Sequence, residues 1–138
     1  MTDLQTAKTN LTNHTICLCK DGKCIADDSH GIAPIMSFIA NGVDLSGYSV
    51  ADVVVGKAAA MLFVKSKIVA VFAKTLSKGG KAILENYGIS YEYERLVDNI
   101  LNRDETDICP MEKTVANTDN VDEAYLLLLA KLESLKNK

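Results

Sequence analysis

A three-layer α/β/α sandwich on a mixed sheet is the fold class that this 138-residue sequence predicts. Three observations predict it. The segments Thr15–Lys20 and Lys23–Asp27 flank Asp21-Gly22, a dipeptide suited to a two-residue type I′ turn, so an antiparallel hairpin belongs to the sheet. The run Ile68–Ala73 (IVAVFA) is short, β-branched and continuously apolar, as a central parallel strand is. A helix-length segment then leads to Ile89–Glu94, a second strand, and crossovers of that length join parallel neighbours.

The elements follow in order. Thr2-Asp3-Leu4-Gln5 has the form of a capping box, and Leu4, Ala7 and Leu11 follow at helical spacing, so a short amphipathic helix comes first. In the hairpin, alternation puts Cys17, Cys19, Cys24 and Ala26 on one face and Ile16, Leu18 and Ile25 on the other, with Cys19 opposite Cys24. Both faces are apolar, which suits a sheet covered on both sides. Ser29-His30-Gly31 reads as a loop, His30 as a solvated loop residue. Pro34 suits the first turn of a helix that exits at Asn41-Gly42. Ser49-Val50-Ala51-Asp52 has a second capping-box form and is expected to open a buried helix over about Val50–Ser66. The valines there are strand-like, but the length and the small residues favour a helix. Ser77 caps a helix that runs to about Tyr87, with Gly88 at its exit. Leu96, Val97, Ile100 and Leu101 sit at helical spacing. A loop over 102–108 leads to Cys109-Pro110-Met111-Glu112, with Pro at a helix start. Asn120 caps a last helix, whose stripe of Val121, Tyr125, Leu128, Leu132 and Leu135 suits the core or the seam of a homodimer.

Composition narrows the function. Residues are 48% apolar and 24% charged with net charge −3, values of a folded domain, and the length suits a single domain over 1–138. The acidic balance provides no electrostatic footprint for nucleic acid or an anionic membrane. No apolar run approaches a membrane span of roughly 18 residues, and Met1–Gln5 do not read as a signal peptide, so a cytoplasmic protein is expected. Four cysteines are too few for a disulfide scaffold, and in a reducing cytosol they read as thiols, metal ligands or a nucleophile.

The stretch Ser49-Val50-Ala51-Asp52 through Val55-Gly56-Lys57-Ala58-Ala59-Ala60, followed by Asn102-Arg103 and Cys109-Pro110-Met111-Glu112, resembles the bacterial domain-of-unknown-function family numbered 1893. Gly31-Ile32-Ala33-Pro34 fits as well, and the resemblance runs from the hairpin to Glu112. It implies a cytidine-deaminase-like fold and no particular activity. Zinc deaminases need a His/Cys-x-Glu pair at one helix start and Pro-Cys-x-x-Cys at another. Neither motif occurs in this chain, so zinc-hydroxide deamination is not expected and no cofactor is implied.

The candidate catalytic residues are Cys109 and Glu112. Pro110 at the first helical position puts Cys109 at the N-cap, where unpaired N–H groups and the helix dipole favour a thiolate. Glu112 then sits where a capping-box carboxylate folds back, available as acid or base. The competing reading is a buried cysteine and a structural glutamate. The candidate ligand contacts are Lys57, Asp52, Asn102 and Arg103. Lys57 lies on an apolar face and needs a partner there: a ligand anion, or an internal carboxylate such as Asp52 or Glu112. Gly56-Lys57 is not a P-loop, since Ala51 and Ala58 stand where Gly and Ser/Thr are required. Asp52 reads more readily as a helix cap, which the capping-box spacing explains without chemistry. Arg103 suits a phosphate or carboxylate, or, with Asn102, its own loop. Cys17, Cys19 and Cys24 suggest a metal or redox site, or a Cys19–Cys24 disulfide under oxidation, though no second close pair completes four ligands. Small-molecule binding, with a homodimer as one arrangement, is therefore the expected role. Its alternatives are a non-catalytic regulatory module and a thiol-based sensor.

Overall fold

The computed structural model describes residues 1–136. Its centre is a five-stranded sheet of β1 (Ile16–Lys20), β2 (Lys23–Asp27), β3 (Ser49–Val55), β4 (Ala70–Ser77) and β5 (Ser90–Val97), in the order β2-β1-β3-β4-β5. The hairpin pairs Cys19 with Cys24 and Lys20 with Lys23, and Asp21 and Gly22 both have positive φ, as a type I′ turn requires. β1 also runs antiparallel to β3, whereas β3, β4 and β5 are parallel. The sheet is thus mixed, with the hairpin on one edge.

Helix α1 (Asp3–Asn10) opens on the expected capping box: Thr2 Oγ1 accepts from Gln5 N, and the Gln5 side chain accepts from Thr2 N. With the short 3-10 turn that follows it, α1 covers one sheet face, setting Leu4, Ala7 and Leu11 against Cys17, Cys19, Ala51 and Phe72. The other face carries α2 (Ala33–Ala40), α3 (Lys57–Lys65), α4 (Lys78–Asn86), α5 (Pro110–Val115) and α6 (Val121–Lys136). The crossovers β3-α3-β4 and β4-α4-β5 have the same sense, which places α3 and α4 side by side. Helix α3 lies between the sheet and α6, so Ala58 through Phe63 are all buried. A helix enclosed on every side is apolar all round. Asn120 Oδ1 caps α6, whose Ala124 and Leu128 reach the core while Leu126, Leu127, Leu129 and Leu135 stay exposed. No helix among the described residues is long and apolar enough to cross a membrane.

Three local expectations are corrected. Ser49-Val50-Ala51-Asp52 does not cap a helix. It begins β3, and the helix starts only after Gly56. The four valines between positions 50 and 55 follow their β-branched preference because the strand is enclosed between β1 and β4. IVAVFA is displaced: β4 begins at Ala70 and runs on through Lys74 and Thr75 to Ser77. Leu96 and Val97 belong to β5, not to a helix, and Ile100 and Leu101 lie in a loop closed by a bridge between Leu101 and Ile108. A helical spacing of four apolar residues had no helix to describe because two of them end a strand.

Candidate functional site

The carboxyl ends of β3, β4 and β5 open toward the start of α3, the start of α4 and the segment that follows β5. Ligands in open parallel sheets bind at this end. Two cavities lie there, and both are bordered by Asp98 and Asn99. The larger, about 440 Å³, is an open cleft beneath the 98–105 segment. Its apolar wall is Val54, Val97, Ile100 and Leu101, and its charged groups are Arg95, Arg103, Asp98 and Glu105. Lys78 Nζ pairs with Asp98 at 2.7 Å and draws its carboxyl below the usual range. Among the described residues neither guanidinium has a hydrogen bond or an ion pair.

The smaller cavity, about 190 Å³, is walled by Lys57, Ser77, Gly79, Glu112 and Lys113 among others. Its geometry is set by helix starts. Helix α4 is capped internally, Gly80 N donating to Ser77 Oγ at 3.0 Å. Helix α3 has no cap of its own, since Gly56 precedes it. Glu112 supplies one from α5: Lys57 N donates to Oε1 at 2.7 Å and Ala58 N to Oε2 at 2.8 Å. A negative charge at the positive end of a helix is favourable there. Burial nevertheless pushes the Glu112 carboxyl above its ordinary value, against these two hydrogen bonds and the nearby Lys57. The Lys57 amine pairs with Asp119 at 3.2 Å and donates to Ala116 O at 3.3 Å.

The six predicted site residues therefore divide. Lys57 and Glu112 share the smaller cavity, but Glu112 caps a different helix from the one it begins. The capping-box reading is replaced because the leading N–H groups of α3 had no other acceptor. Arg103 and Asn102 border the larger cleft, where Asn102 also holds its own loop, its Oδ1 accepting from Thr106 N at 3.0 Å. Cys109 takes the N-cap position of α5, but its thiol makes no capping bond, and it lines neither cavity. Asp52 is buried within β3, paired with Ile16 and Ala73, and borders neither cavity. Burial pushes its carboxyl up to about 7, with backbone N–H groups of Val54 and Val53 opposing the shift. Sequence reasoning passed over Arg95 and Asn99. Arg95 ends a run of alternating Tyr and Glu with nothing local to mark it, and only pairing beside Thr75 brings it to the cleft.

A zinc of the deaminase kind has no ligands at these helix starts, which carry Gly56-Lys57-Ala58 and Ser77-Lys78-Gly79 with no His or Cys. The class defined so far is an α/β/α sandwich whose strand-end cleft is built from cations, amides and a capping carboxylate. The chain belongs to the family described as TM1506, domain of unknown function (DUF1893), whose model matches residues 6–132. A solved DUF1893 family protein, TM1506 of Thermotoga maritima, is 27% identical, with 95% of this chain and 91% of that one covered and a TM-score of 0.84. A diaminohydroxyphosphoribosylaminopyrimidine deaminase/5-amino-6-(5-phosphoribosylamino)uracil reductase of the same organism matches over 60% of this chain and 30% of its own. It is 19% identical, with a TM-score of 0.45. No curated protein matches the chain.

Proposed function

We propose that the strand-end cleft binds a small anionic molecule with a planar or apolar body, of the size of a nucleotide. The observation that carries this reading is that Arg95 and Arg103 both line the cleft, neither engaged by another described residue. A guanidinium left free in a concave site is a fork for phosphate or carboxylate oxygens. Lys78 neutralises Asp98, so the two arginines face only Glu105 as an uncompensated acid. Val54, Val97, Ile100 and Leu101 offer the apolar surface, and Asn99 offers an amide at the border with the smaller cavity. The volume of about 440 Å³ falls within the ordinary range of small-molecule sites.

The reading is one of binding before catalysis. Chemistry at Cys109 would require its thiol to face the bound molecule, and the thiol lines neither cavity. Glu112 lines the smaller cavity rather than the cleft and is already committed to two N–H groups of α3.

Thermal denaturation with cytidine, adenosine, their 5′-monophosphates and inorganic phosphate tests the proposal. At tenfold excess over its Kd, a ligand stabilises by about 1.4 kcal/mol, a shift of roughly 4 °C for a chain of this size. The monophosphates should give this shift and the nucleosides should not. Arg95→Ala and Arg103→Ala should each abolish it, and Cys109→Ser should leave it unchanged. A shift that survives both arginine replacements, or no response to any anion at millimolar concentration, overturns the reading.

A further inference from the structure

Beneath α1, away from the cleft, three sulfurs meet. Cys17 and Cys19 alternate onto the α1 face of β1, and the hairpin register sets Cys24 directly across from Cys19. All three Sγ atoms lie within 4.8 Å of one another. Cys17 Sγ is 3.7 Å from Cys19 Sγ, and Cys19 is joined to Cys24 as a disulfide. Leu4, Ala7 and Leu11 roof the cluster, and Cys17 and Cys19 are wholly buried. Cys24 is exposed, and the Asn10 side-chain amide donates to its sulfur at 3.6 Å. The result is a dry group of sulfur ligands with one open edge.

We infer that, once the Cys19–Cys24 disulfide is reduced, Cys17, Cys19 and Cys24 together hold one Cu(I) ion. Reduction by a small dithiol breaks the S–S bond and leaves two thiols. The dithiol becomes its own disulfide, so two electrons and two protons pass to the protein. The ion then bonds to three sulfurs and displaces their three protons to solvent. Metal binding to thiols releases their protons, so copper uptake by the reduced cluster should fall as pH is lowered.

The ligand set decides the metal. Thiolates select Cu(I), zinc or iron–sulfur iron, whereas carboxylates and water select hard ions. Structural zinc sites and iron–sulfur clusters call for four protein ligands, and a zinc held by three keeps a water in its fourth position. Among the described residues no His, carboxylate or further Cys joins these three. Three-coordinate sulfur in a water-excluded setting is suited to Cu(I). The spacing agrees. With a metal–sulfur bond of about 2.3 Å, three sulfurs around one ion stand roughly 4 Å apart. The Cys17–Cys19 separation of 3.7 Å is already close to that. Only Cys24 has to draw back from Cys19, and it does so on an exposed edge strand.

The full chain, reduced anaerobically with dithiothreitol and desalted, is titrated with Cu(I) against the chelator bathocuproine disulfonate. The expected result is one copper withdrawn per chain, with thiolate-to-copper ultraviolet absorption rising to a break at one equivalent. The oxidised protein should take none. Cys24→Ser and Cys17→Ala should lose retention at the same chelator concentration, and Cys109→Ser should keep it. Circular dichroism checks that each variant is folded. Should Cys17→Ala fail to fold, the exposed Cys24→Ser decides the matter alone. Copper left entirely with the chelator overturns the inference. So does retention by Cys24→Ser equal to the parent, loss in Cys109→Ser, or displacement of copper by equimolar zinc.

Discussion

Glu112 ties the smaller cavity together because it answers a deficit elsewhere in the chain. The leading N–H groups of a helix have no partner within it, and the residue before α3 is a glycine with no side chain to offer. The carboxylate that fills the place comes from 55 residues away. Replacing it with alanine strips two partly buried donors at once. Glu112→Ala should therefore cost about 2 kcal/mol in urea unfolding. Glu112→Gln keeps one accepting oxygen and should cost roughly half as much. Equal stability of the alanine variant and the parent would show that water satisfies these groups and that the carboxylate is free for chemistry. The cysteine beside it shows the limit of a local motif. Cys-Pro-Met-Glu drew attention to the right helix start, and the N-cap position of Cys109 is as the spacing implies. Where each side chain points is a tertiary fact. The sequence around Glu112 is compatible with folding back on α5, and the empty start of α3 decides otherwise.

At the scale of elements, legibility followed the range of the interactions. The α1 capping box, the hairpin register, the Ser77 cap and the Asn120 cap are all short-range patterns, and all are present in the structure. Strand β3 was hidden because Ala58 to Val64 continue its apolar run, so strand and helix merged into one hydrophobic segment. The break between them is Gly56, whose role is close approach. A methyl at position 56 would overlap Glu112 Oε1 and lie 2.8 Å from Ile100 Cγ1. The start of α4 meets the same spot: a methyl at Gly80 would stand 3.0 Å from Gly56 O and 3.1 Å from its carbonyl carbon. Backbone cannot swing away as a long side chain can. Gly80→Ala should therefore destabilise by about 1–3 kcal/mol. Its neighbour makes the contrast. A methyl at Gly79 meets Lys57 Cβ at an ordinary 3.5 Å, so Gly79→Ala should be neutral or stabilising by up to about 0.5 kcal/mol through helix propensity. Opposite signs at adjacent glycines, read from denaturant midpoints, would establish that the two helix starts are pressed together. Equal effects would mean that propensity alone governs both.

For the molecule as a whole, the least legible feature was a charge enclosed in the sheet. Asp52 was placed by sequence at a helix start, where a carboxylate is an asset. The fold puts it on a strand between β1 and β4, where an ionised carboxylate is a liability. It is 8% exposed, and no basic side chain among the described residues pairs with it. Its carboxyl, pushed up to about 7 from an ordinary 3.8, makes folding itself respond to pH. The folded state holds this proton where the unfolded chain releases it. The favourable contribution is therefore complete below about pH 4 and is lost as pH rises through about 7. Asp98 and Asp107 act in the opposite sense, because Lys78 and Lys113 hold their carboxyls below the usual range, and both favour the fold as pH rises. A stability profile of the parent alone would mix these trends. Asp52→Asn isolates one of them, since the amide has nearly the shape of the protonated acid and can still accept from Val54 N. Parent and variant should unfold at similar urea concentrations near pH 3.5. The variant should then gain steadily on the parent through the window from about 4 to 7. By pH 8 its advantage should reach roughly 4 kcal/mol and stop growing. A difference independent of pH would mean that the carboxyl ionises in the folded protein as readily as in the unfolded chain, and that water or an undetected donor reaches the middle of the sheet.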